Sequence, residues 1–188
     1  MSEPREPRTP RWERTHRRIY EVAMGLFAEH GFEAVTVAAI AAAARVTVPT
    51  FYDHFSSKEN IVLPLPETSD VEAVMALQPP GLPLGERLRR GIRGWLGAVQ
   101  GRDREELLDR WRIVIRTPGL RSRAAEFERR TVDIVLAALG AERDATAAVV
   151  TAAMFSAYTQ ILLRWAESDG DVPLEDLIEE VLRALREL

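Results

Sequence analysis

Cysteine is absent from this 188-residue sequence, which excludes disulfide bonds, zinc–thiolate sites and thiol catalysis. No run of eighteen apolar residues occurs, so we expect no membrane-spanning helix. The N-terminal segment is charged and rich in proline and lacks an apolar stretch, so we expect no secretory signal. Together these absences favour a cytoplasmic protein, and a hydrophobic content of 46% is ample for a folded core.

Histidine is scarce, and the sequence lacks the usual constellations of catalytic residues. The three histidines, His16, His30 and His54, all lie in the first third of the chain. Asp53 and His54 are neighbours that point in different directions on a helix, so they make a poor catalytic dyad. No glycine-rich phosphate motif and no metal-ligand spacing occurs. The sequence therefore predicts that the protein is not an enzyme and uses no cofactor or metal.

Positive charge is unevenly distributed along the chain, although the net charge is −4. The first 18 residues hold six arginines and three glutamates, whereas residues 61–188 carry more acidic than basic residues. Among the 25 Lys and Arg residues, the single lysine is Lys58. This asymmetry places an attractive field for a polyanion at the N-terminal end.

Residues 36–59 have the pattern of two short helices joined by a tight turn. In the first, Val37–Ala44, apolar residues recur at helical spacing. In the second, Val48–His54, Thr47 suits the N-cap and Pro49 suits the first turn, where its missing N–H costs nothing. The segment is therefore predicted to fold as two consecutive helices.

The second of these helices is predicted to have an inward and an outward face. Phe51 and Phe55 lie four residues apart and can face inward. The residues that then face outward are Val48, Pro49 and Tyr52. Such an arrangement is typical of a helix-turn-helix whose second helix enters the major groove of DNA.

The motif resembles the N-terminal domain of the TetR (tetracycline-repressor) family of bacterial one-component regulators. The resemblance covers roughly residues 12–62 and is carried within the motif by Ile40, Ala41, Ala44, Val46, Thr47, Thr50, Phe51, Tyr52, His54, Phe55, Lys58 and Glu59. In the preceding helix it is carried by Ile19, Ala23, Leu26, Phe27, Gly31, Phe32 and Thr36.

The chain departs from the family at Arg45, where most members carry glycine. That turn position often needs a left-handed conformation, which costs arginine about 1 kcal/mol. We interpret Arg45 as tolerated strain that a phosphate contact would offset.

The resemblance implies an all-α protein with an N-terminal three-helix helix-turn-helix DNA-binding domain and a C-terminal helical ligand-binding and dimerisation bundle. We expect a disordered arm over residues 1–11, the DNA-binding domain over 12–57 and the sensing and dimerisation domain over 58–188. Periodicity and breakers predict helices at Trp12–His30, from Lys58, and at Leu84–Gln100, Glu105–Arg116, Leu120–Leu139, Ala145–Ser168 and Leu174–Glu187.

Tyr52, His54 and Lys58 are interpreted as a phosphate clamp, which positions a protein on the duplex without reading sequence. The alternative makes Tyr52 a partly buried aromatic and His54 a solvated polar residue. Thr36 is a candidate for a phosphate contact, although a structural N-cap would look the same.

Two arginines at the start of the first helix, Arg11 and Arg14, are further DNA candidates, because they could reach phosphates or the minor groove. Arginines at a helix start are also often simply solvated. The expected recognition surface has no Arg, Lys, Asn or Gln, the residues that make bidentate base contacts, and consists of Thr47, Val48, Pro49 and Thr50. Sequence reading should then depend on thymine methyl groups, DNA shape and the arginine arm.

Six residues of the C-terminal part are candidates for lining a small-molecule site: Trp95, Trp111, Arg116, Phe127, Phe155 and Tyr158. Each aromatic residue could equally belong to an ordinary core, and the arginine could belong to a solvated helix face. The Arg-rich stretch around Thr117-Pro118-Gly119 is loosely similar to regulators thought to sense acyl-CoA-like ligands, so an acyl-CoA-like effector is one alternative.

Two C-terminal helices are candidates for dimerisation, because one carries small residues and the other a wide apolar band. Pairing with their copies would give a four-helix interface, as the resemblance implies. The expected contact residues are Ala152, Ala153, Ser156, Ile178, Val181 and Leu185.

These observations predict a homodimeric regulator that binds a near-palindromic operator in double-stranded DNA and is released by a small molecule, most simply a repressor. The alternative is a helical protein-interaction or scaffold protein that does not bind DNA.

Overall fold

The computed structural model describes residues 9–141 and 143–185, and within them it contains ten α-helices and no β-strand. The all-α fold class is therefore confirmed. The chain divides into two compact units between Val62 and Leu63. The expected disordered arm falls largely outside the described residues, but its last two residues are helical because the first helix begins at Pro10.

The first unit contains four helices: α1 (Pro10–His30), α2 (Val37–Ala43), α3 (Val48–His54) and α4 (Lys58–Val62). The helix α1 begins earlier than expected because the hydroxyl of Thr9 accepts a hydrogen bond from the backbone N–H of Trp12 at 3.2 Å and caps the helix. The helices enclose a small apolar core whose fully buried members include Ile19, Ala23, Ile40 and Phe51. This core fixes α3 against α1 and α2.

The second unit contains six helices: α5 (Thr68–Ala76), α6 (Leu84–Ala98), α7 (Gly101–Arg116), α8 (Pro118–Ala138), α9 (Ala145–Glu167) and α10 (Leu174–Ala184). Helix α9 is central, because α6, α7, α8 and α10 all pack against it. Helix α5 packs on α8 and α6. The core of this unit is therefore organised around α9.

Three features of the second unit differ from the sequence-based expectation. Helix α5 was not expected at all. Helix α7 begins at Gly101 and not at the expected Glu105, and α8 begins at Pro118 and not at the expected Leu120. Proline is well suited to that position because its missing N–H has no helical partner there.

Helix α9 is, among the described residues, the one helix long and apolar enough by length and composition to cross a membrane. Its apolar character has a sufficient explanation in the fold, because it is the helix on which four others pack. Ten of its residues are buried within the chain, among them Ile161, Leu162 and Trp165.

Candidate functional site

The turn between α2 and α3 is closed by a Schellman motif centred on Arg45. The backbone N–H of Val46 donates to the carbonyl oxygen of Ala41 at 2.9 Å, and that of Arg45 donates to Ala42 at 3.1 Å. Arg45 adopts a φ of 53°, so the expected left-handed conformation is present at this residue. Its side chain is exposed. The strained turn therefore holds a cation at the surface beside the N-terminus of α3.

Helix α3 begins with a cap made by two threonines. The hydroxyl of Thr47 accepts from the backbone N–H of Thr50 at 3.1 Å, and the two hydroxyl oxygens lie 2.8 Å apart. Pro49 occupies the first turn. The predicted N-cap is confirmed, and both hydroxyls have a structural partner whether or not they also meet DNA.

The two faces of α3 differ sharply in exposure. Phe51 is fully buried and Phe55 nearly so, whereas Val48 is 38% exposed and Tyr52 is 54% exposed. Pro49 is also exposed. An apolar valine and a large aromatic ring with a hydroxyl therefore project from a short helix that the core holds in place. This is the geometry in which a recognition helix meets a groove.

Thr36 has a similar role at α2. Its hydroxyl accepts from the backbone N–H of Ala39 at 3.1 Å, which makes it the N-cap of that helix. Thr36 is exposed, so the capped N-terminus, with its positive helix-dipole end, is open to an anion.

His54 is not a solvated side chain, because it lies within a stack of aromatic rings. Its ring centroid is 4.6 Å from that of Trp12 and 5.7 Å from that of His16, and His16 stacks on Phe55 at 4.2 Å. The Nδ1 atom of His54 is buried without a hydrogen-bond partner among the described residues. Burial lowers the pKa of His54, and the neighbouring Asp53 carboxylate opposes this shift. The stack ties the start of α1 to the end of α3.

Lys58 makes two internal hydrogen bonds. Its ammonium donates to the carbonyl oxygens of Phe32 at 2.9 Å and Val35 at 3.0 Å, and it lies 4.4 Å from the centre of the Phe32 ring. These contacts close the loop between α1 and α2. The three predicted clamp residues therefore have different surroundings. Tyr52 is exposed with its ring edge-on to Phe51, His54 lies among aromatic rings, and Lys58 is held by backbone carbonyls.

Arg11 and Arg14 are both exposed on the first two turns of α1. Trp12, between them, is the first member of the aromatic stack with His54. Its role was missed from the sequence, although its four-residue spacing from His16 is the signal of a helical ring pair.

The expected ligand residues divide into two groups. Tyr158 lies with its ring centroid 5.8 Å from Trp95 and 6.0 Å from Phe155, so three of the six candidates come together. Trp111 is buried, and Arg116 is exposed at the end of α7. The remaining candidate, Phe127, is half-buried on α8.

Comparison with known proteins identifies both parts of the chain. Residues 19–65 match the family model described as bacterial regulatory proteins of the tetR family, and residues 82–188, more than half of the chain, match the model of the MftR C-terminal domain. The chain belongs to the TetR family.

A curated relative of this TetR-family chain is the HTH-type transcriptional regulator TcmR of Streptomyces glaucescens, with 34% identity over 144 residues. The match includes 70% of this chain and 63% of TcmR, so it spans less than two thirds of that relative.

Two solved structures of other regulators share the fold. The fatty acid degradation regulator FadR from Bacillus halodurans is 19% identical with a TM-score of 0.55, and the alignment covers 96% of each chain. NalD, the secondary repressor of the MexAB-OprM multidrug efflux pump in Pseudomonas aeruginosa, is 17% identical with a TM-score of 0.55, over 93% of this chain and 96% of NalD.

The residues expected at a dimer interface of the TetR-family chain lie in different environments. Ala152 and Ser156 are exposed on α9, and on the same face Val149 is 70% exposed. Ile178 is buried within its own chain at 3% exposure, so it belongs to the core of the protomer. The other three, Ala153, Val181 and Leu185, are half-buried.

Proposed function

We propose that this TetR-family protein is a cytoplasmic transcriptional repressor that binds a near-palindromic operator as a dimer and is released by a small molecule. The observation that carries the proposal is the outward face of α3. Val48 and Tyr52 are exposed there while Phe51 anchors the helix in the core. The relative TcmR, itself named a transcriptional regulator, supports a regulatory and not an enzymatic role.

The proposed DNA-binding surface combines three kinds of contact. Tyr52 and the capped N-terminus at Thr36 meet phosphates, Arg11 and Arg14 extend along the backbone, and the start of α3 enters the groove. Arg45 supplies a phosphate contact from the strained turn. The expected base contacts are apolar, from Val48 and Pro49 to thymine methyl groups. The proposed domain limits are 12–57 for DNA binding and 58–188 for sensing and dimerisation, so α4 would begin the second domain.

Dimerisation follows from the exposed face of α9, where small and apolar residues leave room for a second helix to approach closely. Two α3 helices related by two-fold symmetry would read two half-sites, which makes the operator near-palindromic. An effector in the second unit changes DNA affinity if it binds the two states with different affinity.

Selection of duplexes from a random pool tests this proposal. We expect enrichment of two inverted half-sites whose centres lie about one helical turn of DNA, or a multiple of it, apart. A Tyr52→Ala protein should enrich the same sequence more weakly, because a phosphate contact carries no sequence information. No enrichment by the wild-type dimer would favour the alternative, a helical protein-interaction module that does not bind DNA.

A further inference from the structure

The interior of the second unit holds polar atoms that the chain itself does not satisfy. The Nε atom of Arg110, on α7, and the hydroxyl oxygen of Thr151, on α9, are both buried and have no hydrogen-bond partner among residues 9–141 and 143–185. Thr151 is fully buried. Two further atoms of the described part of this unit are in the same state, the Nε of Arg87 and the Nε1 of Trp165. A buried polar atom without a partner costs folding free energy, so four of them in one bundle need a reason.

Arg110 differs from its arginine neighbours on α7. Arg112 donates to Asp109 at 2.8 Å and to Asp169 at 2.6 Å, and Arg104 pairs with Glu175 at 2.6 Å. Arg110 has no ion pair with any described residue, although it is half-buried. A partly buried cation without a counter-ion is unfavourable in the free protein and favours an anion from outside the chain.

Arg110 lies on α7, and α7 packs against α9, the helix that carries Phe155 and Tyr158. Burial raises the pKa of the Tyr158 hydroxyl, and the charge of Arg110 opposes that shift, which agrees with this packing. Tyr158 in turn contacts Trp95 and Phe155 through its ring. Trp95 is 44% exposed, so an apolar surface of the group remains open.

Thr151 extends the group along α9. It lies seven residues before Tyr158 and on the same side of the helix, about 10 Å away along the axis. Its hydroxyl offers a hydrogen bond to a second polar group of the same ligand. The group thus offers a ligand a cation and a phenol, then aromatic rings, and at its far end a single hydroxyl.

We propose that Arg110 and the Tyr158 hydroxyl bind the anionic group of the effector, and that Trp95 and Phe155 contact its apolar or aromatic body. The proposal rests on the proposed function and deepens it, because it names the ligand as a small amphipathic anion. Arg116, the arginine expected from the sequence, is exposed at the end of the helix, and the proposal places the anchor at Arg110 instead.

A pair of fluorescent probes tests the charge of the ligand. 8-Anilinonaphthalene-1-sulfonate carries a sulfonate, and N-phenyl-1-naphthylamine has the same ring system without it. Arg110→Met should weaken binding of the sulfonate probe by about tenfold or more and change binding of the neutral probe by less than about twofold, because only the former loses a charge-assisted hydrogen bond. Calorimetry should give one sulfonate molecule per protomer.

Arg102→Met is the matched control, since it removes the same charge from the same helix at a position where the side chain is 66% exposed. It should leave both affinities within about twofold of the wild type, because an exposed charge is largely screened. Three results would each overturn the proposal. The two Met variants could lose the same affinity for the sulfonate probe, Arg110→Met could lose the same affinity for both probes, or the sulfonate probe could show no saturable binding.

Thermal stability separates a ligand-binding arginine from a structural one. Arg110→Met should keep or raise the melting temperature, because it removes an unpaired cation and keeps an apolar side chain of similar length. A Tyr158→Phe variant keeps the ring and supplies a second test. It should bind the sulfonate probe several-fold more weakly and fold normally, whereas a lower melting temperature in both variants with unchanged probe affinity would contradict the proposal.

DNA binding separates a failure of the proposed anion site from a failure of the proposed regulatory function. Binding of Arg110→Met to duplex DNA without any probe should equal that of the wild type. If the protein binds DNA but shows no charge-dependent binding of the probe, the anion site is refuted and the regulatory function stands. If the probe binds in a charge-dependent way but the protein does not bind DNA, the proposed regulatory function is refuted instead.

Discussion

At the scale of single residues, the ammonium of Lys58 holds together the loop that separates α1 from α2. It is half-buried and donates to two backbone carbonyls, those of Phe32 and Val35. Without it, both carbonyl oxygens lose a charged donor in a region that is partly shielded from water. A side chain that the sequence marks for DNA therefore has a structural role of its own.

Lys58→Met should lower the free energy of unfolding of the first unit by about 1–3 kcal/mol, because it keeps the apolar stem over Phe32 and removes the donor. Urea denaturation followed by circular dichroism measures the change. Arg14→Met, an exposed charge deletion on α1, serves as the control and should change the free energy by less than about 0.5 kcal/mol. Equal small effects of the two substitutions would show that the carbonyl contacts contribute little.

The surroundings of His54 should make the stability of the first unit depend on pH. Because burial lowers the pKa of His54 below its ordinary value of 6.5, the unfolded chain binds a proton more readily than the folded one. Stability should therefore fall as the pH drops through 6.5 and level off below the folded pKa.

The measurement is the urea midpoint between about pH 7.5 and about pH 5.5, and a His54→Gln protein should show a flatter curve than the wild type. His16 faces His54 across the stack, so His16→Gln belongs in the same series. An unchanged slope in His54→Gln would contradict the account.

At the scale of elements, local signals fixed some helices and packing fixed others. The limits of α3 were predictable because Thr47 caps it and Pro49 sits in its first turn, both local effects. Helix α5 has no such signal. Its N-cap residue, Glu67, makes no capping hydrogen bond, and the helix is stabilised by its contacts with α8 and α6, which lie far away in sequence.

The exposed face of α9 is the expected contact between the two copies of the dimer. Val149→Glu should weaken the dimer by at least about tenfold, because it places a charge in an apolar contact between two copies of the helix. Sedimentation velocity over a concentration series measures this. Val172→Glu makes the same change at an exposed valine outside the helix and should leave the dimer intact. A wild-type monomer at micromolar concentration would refute the assembly itself.

At the scale of the whole molecule, composition and charge vary along the chain, and this variation predicted a positive N-terminal DNA-binding domain followed by a larger helical domain. The candidate DNA surface was also largely predictable from spacing on a short helix. The surroundings of Lys58 and the unpaired state of Arg110 were not, because each depends on residues that only tertiary packing brings near or keeps away.

The salt dependence of binding to a random-sequence duplex tests whether this protein binds DNA through phosphate contacts. Fluorescence anisotropy between about 50 and about 200 mM KCl should show log K falling linearly with log salt, by at least about a hundredfold, because each phosphate contact releases a counterion. Tyr52→Ala should bind more weakly than the wild type at every salt concentration. Binding that is absent, or that does not change with salt, would contradict the account and leave the protein-interaction alternative.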